Sequence, residues 1–195
     1  MQKPMIYGAL LGGLALFVWG FVSWMVLPWH MTTLTKFKDE GTVAQAIAAN
    51  APIQGIYLLP NPHKHDPSLS ADKQKAEEVE SMKLMVNGPF MFASVTPQGG
   101  KGMNAALLVQ LLTDVIGALL ATMLLLKTRG LNFVQRLGFV LGLAVMIFVS
   151  AHVYYWNWWR FPTDYTMVAL ADLLIGWTLA GIVIAKLTAL AGATS

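Results

Sequence analysis

The chain has 195 residues, of which 56% are hydrophobic and 12% charged, and its mean hydropathy is +0.57. Soluble domains carry charge on about a quarter of their residues, so this composition excludes a disordered tail, a collagen and a coiled coil, and it indicates a membrane protein. The absence of cysteine excludes disulfide scaffolds and cysteine nucleophiles. The net charge of +3 comes without the basic and aromatic stripe typical of a nucleic-acid partner.

The apolar residues gather into four runs of about 20 residues, each long enough to cross a hydrocarbon core of ~30 Å as a helix. The predicted spans are Met5 to Leu27, Asn104 to Leu126, Leu137 to Trp156 and Tyr165 to Leu187. We therefore predict an all-α membrane protein, a four-transmembrane-helix bundle with a small α+β extracytoplasmic insertion between helices 1 and 2. The chain divides into helix 1 (1–27), the insertion (28–103) and helices 2 to 4 with short loops (104–195).

The distribution of charge predicts the orientation of these spans. Basic residues without acidic neighbours flank the spans at one end of the bundle: Lys3, Lys127, Arg129, Arg136 and Lys186. By the positive-inside rule these segments face the cytoplasm, so both termini are expected inside and residues 28–103 outside. The expected location is the cytoplasmic (inner) membrane of a bacterium, with the lipid bilayer as one partner.

The N-terminal run has a competing interpretation as a cleaved signal peptide, since Lys3 precedes an apolar stretch. The stretch is about 23 residues long, which exceeds a typical signal-peptide core. It also ends in the segment from Trp24 to His30, which contains no small-x-small cleavage pattern. We therefore expect the first helix to remain attached.

The insertion contains signals for two helices and two strands. Asp39 is a predicted N-cap of a short helix over residues 41–49. Residues 55–60 and 89–95 are rich in strand-forming residues and are predicted to pair with each other. A capped, charge-rich helix is expected over residues 70–80.

Two features of the insertion suggest metal ligands. His63 and His65 alternate beside Asp66 in a proline-bracketed loop, a pattern able to chelate copper, nickel or zinc. Three methionines offer soft ligands for copper: Met82, Met85 and Met91. No further spaced ligands in the sequence complete either site, so a solvated loop and ordinary packing are favoured, and His63 and His65 stay as the metal candidates.

Four polar residues lie inside the predicted spans, where hydrocarbon disfavours them: Gln110, Asp114, His152 and Asp172. At ~1.5 Å per residue, Asp114 lies about 15 Å, Asp172 about 10 Å and His152 about 6 Å from the outer end of its helix. All three therefore belong to the outward half of the bundle. Ser23 and His30 are expected in the same layer.

Helical spacing places the polar residues on faces that also carry small residues. The three faces are Gln110, Asp114, Gly117 and Ala121 in helix 2, Ala169, Asp172, Gly176 and Ala180 in helix 4, and Gly8, Gly12, Trp19 and Ser23 in helix 1. Small and polar faces pack against other helices in a membrane. Asp114, Asp172 and His152 are therefore expected to point into the bundle.

This buried polar cluster has three interpretations. The aspartates act as neutral hydrogen-bonding residues between helices, or two desolvated carboxylates share a proton or hold a cation with His152. In the third interpretation, the bundle holds a cofactor such as a b-type haem on His152 and His30. The sequence favours the first interpretation, so no cofactor is predicted, and a metal ion or haem is the alternative.

A dense aromatic run over residues 154–162 covers the outer end of the third span, and Trp24 and Trp29 lie at the outer boundary of the first. Tryptophan and tyrosine favour the headgroup layer, so an interfacial belt explains most of this pattern. Its density exceeds what the anchoring of one helix requires, and aromatic side chains are favoured at binding hot spots. The predicted partner-binding rim consists of Trp24, Trp29, His30, Tyr155, Trp156, Trp158 and Trp159.

The sequence contains none of the common catalytic signatures: no Gly-x-Ser-x-Gly, His-Glu-x-x-His, phosphate-binding loop or dinucleotide fingerprint. We therefore expect a non-enzymatic accessory or interaction subunit that contacts a membrane-protein partner, or a second copy of itself, through the exported domain and the aromatic rim. The alternative is a transporter or an ion- or proton-binding protein that uses Asp114, His152 and Asp172.

Overall fold

The computed structural model describes residues 2–61, 68–100 and 102–192. Two π-helical segments interrupt otherwise regular helices. In chain order the elements are α1 (Gln2–Phe21), the first π segment (Val22–Val26), α2 (Trp29–Thr32), α3 (Glu40–Asn50), β1 (Gly55–Leu59), α4 (Ala71–Asn87), β2 (Met91–Val95), α5 (Met103–Leu126), α6 (Phe133–Ile147), the second π segment (Phe148–His152), α7 (Val153–Trp158) and α8 (Thr163–Gly192).

The chain forms two compact units: a helical unit of residues 1–35 and 101–195, and an insertion unit of residues 36–100. The helical unit contains four helical stretches that are long and apolar enough to cross a membrane: Lys3–Val26, Met103–Leu126, Phe133–Trp158 and Thr163–Ala189. The prediction of four such helices is confirmed. Residues 28–35, including α2, belong to the helical unit.

The third apolar helix begins at Phe133, four residues before the predicted Leu137. A capping box causes the earlier start. The Asn132 side chain accepts a hydrogen bond from the backbone N–H of Gln135 at 3.0 Å, and the Gln135 side chain accepts one from the backbone N–H of Asn132 at 3.0 Å. Arg136 therefore lies in the first turn of a helix rather than in the connection between spans.

The insertion unit contains the predicted pair of strands. β1 and β2 are antiparallel, with Gly55 opposite Val95 and Leu59 opposite Met91. The predicted N-cap of α3 is also confirmed, since an oxygen of Asp39 accepts a hydrogen bond from the backbone N–H of Thr42 at 3.0 Å.

The charged helix α4 continues to Asn87, whereas the sequence predicted its end at Glu80. Residues 82–85 are methionine, lysine and leucine, which favour helix, and Gly88 follows as the C-cap. His63, His65 and Asp66 lie outside the described residues.

Small residues set the packing of one half of the helical unit. We call the half that holds the start of α1 and the end of α8 the terminal half, and the opposite one the distal half. In the terminal half, a Cβ added to Gly13 of α1 would lie 2.6 Å from the Cα of Val115 in α5, and one added to Gly181 of α8 would lie 2.9 Å from Leu137 of α6. The buried core therefore lies in this half, formed by Ala118, Ala121, Leu125, Val140, Ala180 and Ile184.

Candidate functional site

The distal half of the helical unit contains a cavity of about 470 Å³ between α1, α5 and α8. Its wall combines two carboxylates, an amide and three tryptophans, together with apolar side chains. These carboxylates, amide and tryptophans are Asp114, Asp172, Gln110, Trp19, Trp24 and Trp177. The cavity therefore brings together both aspartates that the sequence placed in the spans.

Tryptophan rings lie between the helices around the cavity, so the helices do not pack as closely as they do in the terminal half, where small residues lie between them. The tip of the Trp177 ring on α8 lies 3.6 Å from the position of a Cβ on Gly117 of α5. The Trp19 ring on α1 covers Gly176 of α8, with its Cδ1 2.8 Å from the corresponding Cβ position. Glycine at both positions leaves room for the rings, and the rings keep the three helices apart.

Asp172 is held by a residue of α1. The indole Nε1–H of Trp19 donates to the carboxylate oxygen Oδ1 of Asp172 at 2.7 Å and to its backbone carbonyl oxygen at 3.0 Å. The other carboxylate oxygen, Oδ2, lies 3.5 Å from Nε2 of His30. The Asp172 side chain keeps 23% of its surface exposed and His30 only 6%, so the histidine is the more deeply buried partner.

His30 reaches Asp172 because the end of the first helix changes direction. The first π segment precedes Leu27 and Pro28, and the short helix α2 then carries Trp29 and His30 back toward the bundle. The imidazole stacks on Trp24 with ring centroids 3.9 Å apart and an interplanar angle of 5°. π-helical turns are frequent at functional sites, and this one shapes a wall of the cavity.

Ser23 connects these groups into one network. Its Oγ lies 2.8 Å from Nε2 of His30 and accepts a hydrogen bond from the indole of Trp29 at 3.0 Å. Ser23 and Asp172 thus face the same ring nitrogen of His30. A nucleophilic triad instead needs the serine on one ring nitrogen and the carboxylate on the other, so this arrangement differs from that of a serine hydrolase.

Asp114 has a simpler environment than Asp172. Its Oδ1 accepts a hydrogen bond from Nε2 of Gln110, one helical turn earlier, at 2.9 Å. Within the described residues this is the only hydrogen bond of the Asp114 carboxylate, and none of the described residues that line the cavity is Lys, Arg or His. Asp114 is therefore a half-buried carboxylate whose only polar partner there is neutral.

His152 does not share the cavity with the two aspartates. It ends the second π segment, is half-buried, and its ring stacks on Phe148 with centroids 5.8 Å apart. Across the described residues, no hydrogen bond or ion pair joins His152 to His30, Asp114 or Asp172. The predicted layer therefore separates into the Asp114–Asp172 cavity and a separate position for His152.

The predicted aromatic rim also divides into two groups. Trp24, Trp29 and His30 belong to the network around Asp172, as described above. Trp156 donates its indole N–H to the hydroxyl of Thr163 at 3.1 Å and Trp159 is partly buried. On α7, the rim residues Tyr155, Trp156 and Trp158 and the neighbouring Tyr154 are each 41–65% exposed, and Trp24 is 44% exposed.

Metal ligation has little support in this part of the molecule. Within residues 2–61, 68–100 and 102–192, no three His, Cys, Asp or Glu side chains form a group able to hold a metal ion. Met82 and Met85 lie on α4, while Met91 begins β2.

Trp177 and the hydrogen bond from Trp19 to Asp172 are not among the features that the sequence predicts. The sequence does contain a signal for the tryptophan packing: Gly117 and Gly176 lie on the faces that carry the two aspartates, and each leaves space for a tryptophan ring. Comparison with known proteins finds no matching protein-family model, no significantly similar curated protein and no significantly similar solved structure.

Proposed function

We propose that this chain is a multi-pass protein of the bacterial inner membrane that binds a small organic cation in the cavity between α1, α5 and α8. The observation that carries the proposal is the joint presence of Asp114, Asp172 and three tryptophan rings around one cavity lined, in its described part, by no basic side chain. Carboxylates supply the counter-charge for a cation, and aromatic faces attract cations through their quadrupole.

Exposed apolar surface supports the membrane location. Large apolar side chains follow one face of α1 from end to end, each about half exposed: Ile6, Leu10, Leu14, Val18 and Phe21. Such a continuous apolar stripe is costly in water and favourable in lipid.

The orientation follows from the five cationic residues that flank the terminal half. By the positive-inside rule the terminal half faces the cytoplasm, and the insertion unit is exported. The cavity then lies in the outer half of the membrane.

Asp114 is the proposed anchor for the cation. A carboxylate at membrane depth needs a positive partner or a proton, because hydrocarbon solvates charge poorly. Asp172 already contacts the indole of Trp19 and the imidazole of His30, whereas Asp114 has only the amide of Gln110. A cationic ligand would satisfy the carboxylate that is otherwise least satisfied.

The size and chemistry of the cavity favour an organic cation over a bare metal ion. Its volume of about 470 Å³ falls in the range of roughly 300–1,000 Å³ that suits small organic ligands. Trp24 and Trp177 line the cavity, and aromatic rings there would attract methyl or methylene groups around a charged nitrogen. The proposal concerns the binding of the cation, which is common to a binding protein and to a transporter.

The test is equilibrium binding of benzyltrimethylammonium to the full-length protein purified in detergent. We expect saturable binding by the wild type and a loss of affinity of at least about tenfold in Asp114→Asn, equivalent to ~1.4 kcal/mol. Asp164→Asn is the matched control, because Asp164 is an exposed aspartate in the first turn of α8. Unchanged binding by Asp114→Asn contradicts the proposal.

The uncharged carbon isostere neopentylbenzene separates cation recognition from apolar filling of the cavity. It has the same shape as the probe without the positive charge. Binding of the isostere as tightly as the cation would contradict a role for the carboxylates. We expect weak binding of the isostere by the wild type, and no change in that binding in Asp114→Asn.

A second candidate function is that of an accessory subunit that contacts a membrane-protein partner, or a second copy of this chain, through its aromatic rim. The observation that favours it is the exposure of four aromatic residues on the six-residue helix α7. Replacement of Trp156 and Trp158 with alanine should dissociate a complex extracted from the native membrane in mild detergent, as read by native mass spectrometry. A complex of unchanged mass would contradict this function.

A further inference from the structure

Arg136 is a buried cation in the terminal half of the helical unit. It lies in the first turn of α6 and is only 6% exposed. Its Nε–H donates to the backbone carbonyl oxygen of Leu131 at 2.9 Å. No other hydrogen bond and no ion pair of Arg136 occurs within the described residues, so the terminal nitrogens of the guanidinium have no protein partner there.

Part of the small exposed surface of Arg136 lies at the end of the guanidinium. Within the described residues, the only completely buried side-chain polar atom without a hydrogen-bond partner is Oγ of Ser81. The two Nη atoms of Arg136 therefore each keep a small accessible area. Both Nη atoms can thus be reached from outside the chain, although Arg136 as a whole is only 6% exposed.

No Asp or Glu side chain among the described residues lies in this half of the bundle to neutralise the guanidinium. The sequence contains no Asp or Glu before Asp39, none between Asp114 and Asp164, and none after Asp172. Exposed cations flank the same half: Lys3, Lys127, Arg129 and Lys186. An anion from outside the chain would supply the negative charge that the side chains of the terminal half lack.

A phosphate group fits this geometry better than other anions. Guanidinium binds phosphate oxygens through two parallel hydrogen bonds, and the two Nη atoms of Arg136 have no hydrogen-bond partner within the described residues. The helix ends around Arg136 are at the depth at which phospholipid headgroups lie if the four helices span a bilayer. Basic pockets between spans on the cytoplasmic side are suited to anionic headgroups.

We infer that Arg136 forms a binding site for the phosphate of an anionic phospholipid at the terminal end of the bundle. The site is separate from the cavity, and its assignment depends only on the proposed membrane location of the helices. The bound headgroup would neutralise the buried guanidinium and connect the α5–α6 turn to the lipid surface.

The test is a native mass spectrometry titration of the full-length protein in detergent with phosphatidylglycerol and, separately, with phosphatidylcholine. We expect tighter binding of the first phosphatidylglycerol than of phosphatidylcholine. Arg136→Gln should weaken phosphatidylglycerol binding by at least about tenfold, because a hydrogen-bonded charge contact is lost. Arg129→Gln, which removes the same charge from the adjacent exposed turn, should weaken binding by less than about threefold.

Equal losses in the two variants would overturn the inference and indicate general attraction by the basic end. Equal binding of both lipids to the wild type would also overturn it. Displacement of phosphatidylglycerol by millimolar inorganic phosphate would assign the site to free phosphate rather than to lipid.

If Arg136→Gln does not fold, Arg136→Lys and Arg129→Lys carry the same comparison with the charge retained. Lysine keeps the charge but not the two parallel hydrogen bonds. Only Arg136→Lys should then lose affinity, and equal behaviour of the two lysine variants contradicts the inference.

Discussion

Trp19 and Asp172 connect the first and last apolar helices through a pair of hydrogen bonds from one indole N–H. The donor lies 2.7 Å from the carboxylate and 3.0 Å from the backbone carbonyl of the same residue. This contact fixes the carboxylate at the wall of the cavity and places an aromatic ring beside it. The carboxylate and the ring that we propose for cation recognition are thus parts of one packed unit.

The Trp19–Asp172 contact should be energetically coupled. We expect a double-mutant cycle of Trp19→Phe and Asp172→Ala to give a coupling free energy of about 0.5–1.7 kcal/mol, the range for hydrogen bonds between membrane helices. The measurement is the free energy of unfolding in a denaturing-detergent titration. Trp156→Phe combined with Asp172→Ala is the control, because Trp156 donates to Thr163 instead, and that pair should be additive. An additive Trp19–Asp172 pair would rule out the proposed contact.

Close packing of the terminal half should make Gly13 intolerant of a side chain. A Cβ there would lie 2.6 Å from the backbone of Val115, so Gly13→Ala must separate α1 from α5. We expect a loss of about 1–3 kcal/mol in the free energy of unfolding, typical of overpacking. Gly20, on the same helix, has no atom within 4 Å of its Cβ position. Gly20→Ala should therefore keep or raise stability by up to about 1 kcal/mol, and equal losses in the two variants would contradict the packing described.

The N-cap of α3 should depend on pH. Hydrogen bonds from the backbone N–H and the hydroxyl of Thr42 lower the pKa of Asp39 below its ordinary value of 3.8. Because the folded pKa lies below the unfolded one, the stabilisation by this cap is complete above pH ~3.8 and is lost as the pH falls through the lowered folded value. The measurement is the hydrogen-exchange protection of the Thr42 and Val43 amides as a function of pH.

Asp39→Asn provides the matched comparison for the pH dependence, since asparagine is also a good N-cap but does not titrate. Protection at Thr42 should be insensitive to pH between about 3 and 6 in this variant. Asp72→Asn, in the first turn of α4, should leave the wild-type profile in place. A wild-type profile in Asp39→Asn would show that another group is responsible.

Much of the fold follows from local sequence signals. Hydropathy identifies the four long helices, and side-chain pattern identifies the two strands and the Asp39 cap. Helical spacing of four residues places Gln110 beside Asp114, and the structure joins them by a hydrogen bond. These features depend on neighbours close in sequence, which is the information that periodicity carries.

The cavity depends on contacts between distant residues, which periodicity does not report. Its width results from the packing of the Trp177 ring against Gly117 and of the Trp19 ring against Gly176. The return of His30 to Asp172 follows a π segment, whose i→i+5 hydrogen bonds shift the helical register. The sequence places His152 with the aspartates by depth alone, and depth does not determine on which side of a helix a residue lies.

Arg136 illustrates the same limit at the other end of the bundle. The charge of Arg136 contributes to the predicted orientation through the positive-inside rule, but that rule does not predict whether a residue is buried. The Asn132 and Gln135 pair was the available signal, because an asparagine followed three residues later by glutamine marks a helix start. Because the helix starts at Phe133, Arg136 lies in its first turn, and its side chain is buried there.

The most direct test of cation binding in the cavity is fluorine NMR of the full-length protein labelled with 5-fluorotryptophan. The seven tryptophans are assigned by single replacement with phenylalanine, and benzyltrimethylammonium is then titrated. We predict saturable shifts of the Trp24 and Trp177 resonances, no shift of Trp158, and loss of the cavity shifts in Asp114→Asn. Shifts confined to Trp156 and Trp158 would place the cation on the rim and contradict the central claim.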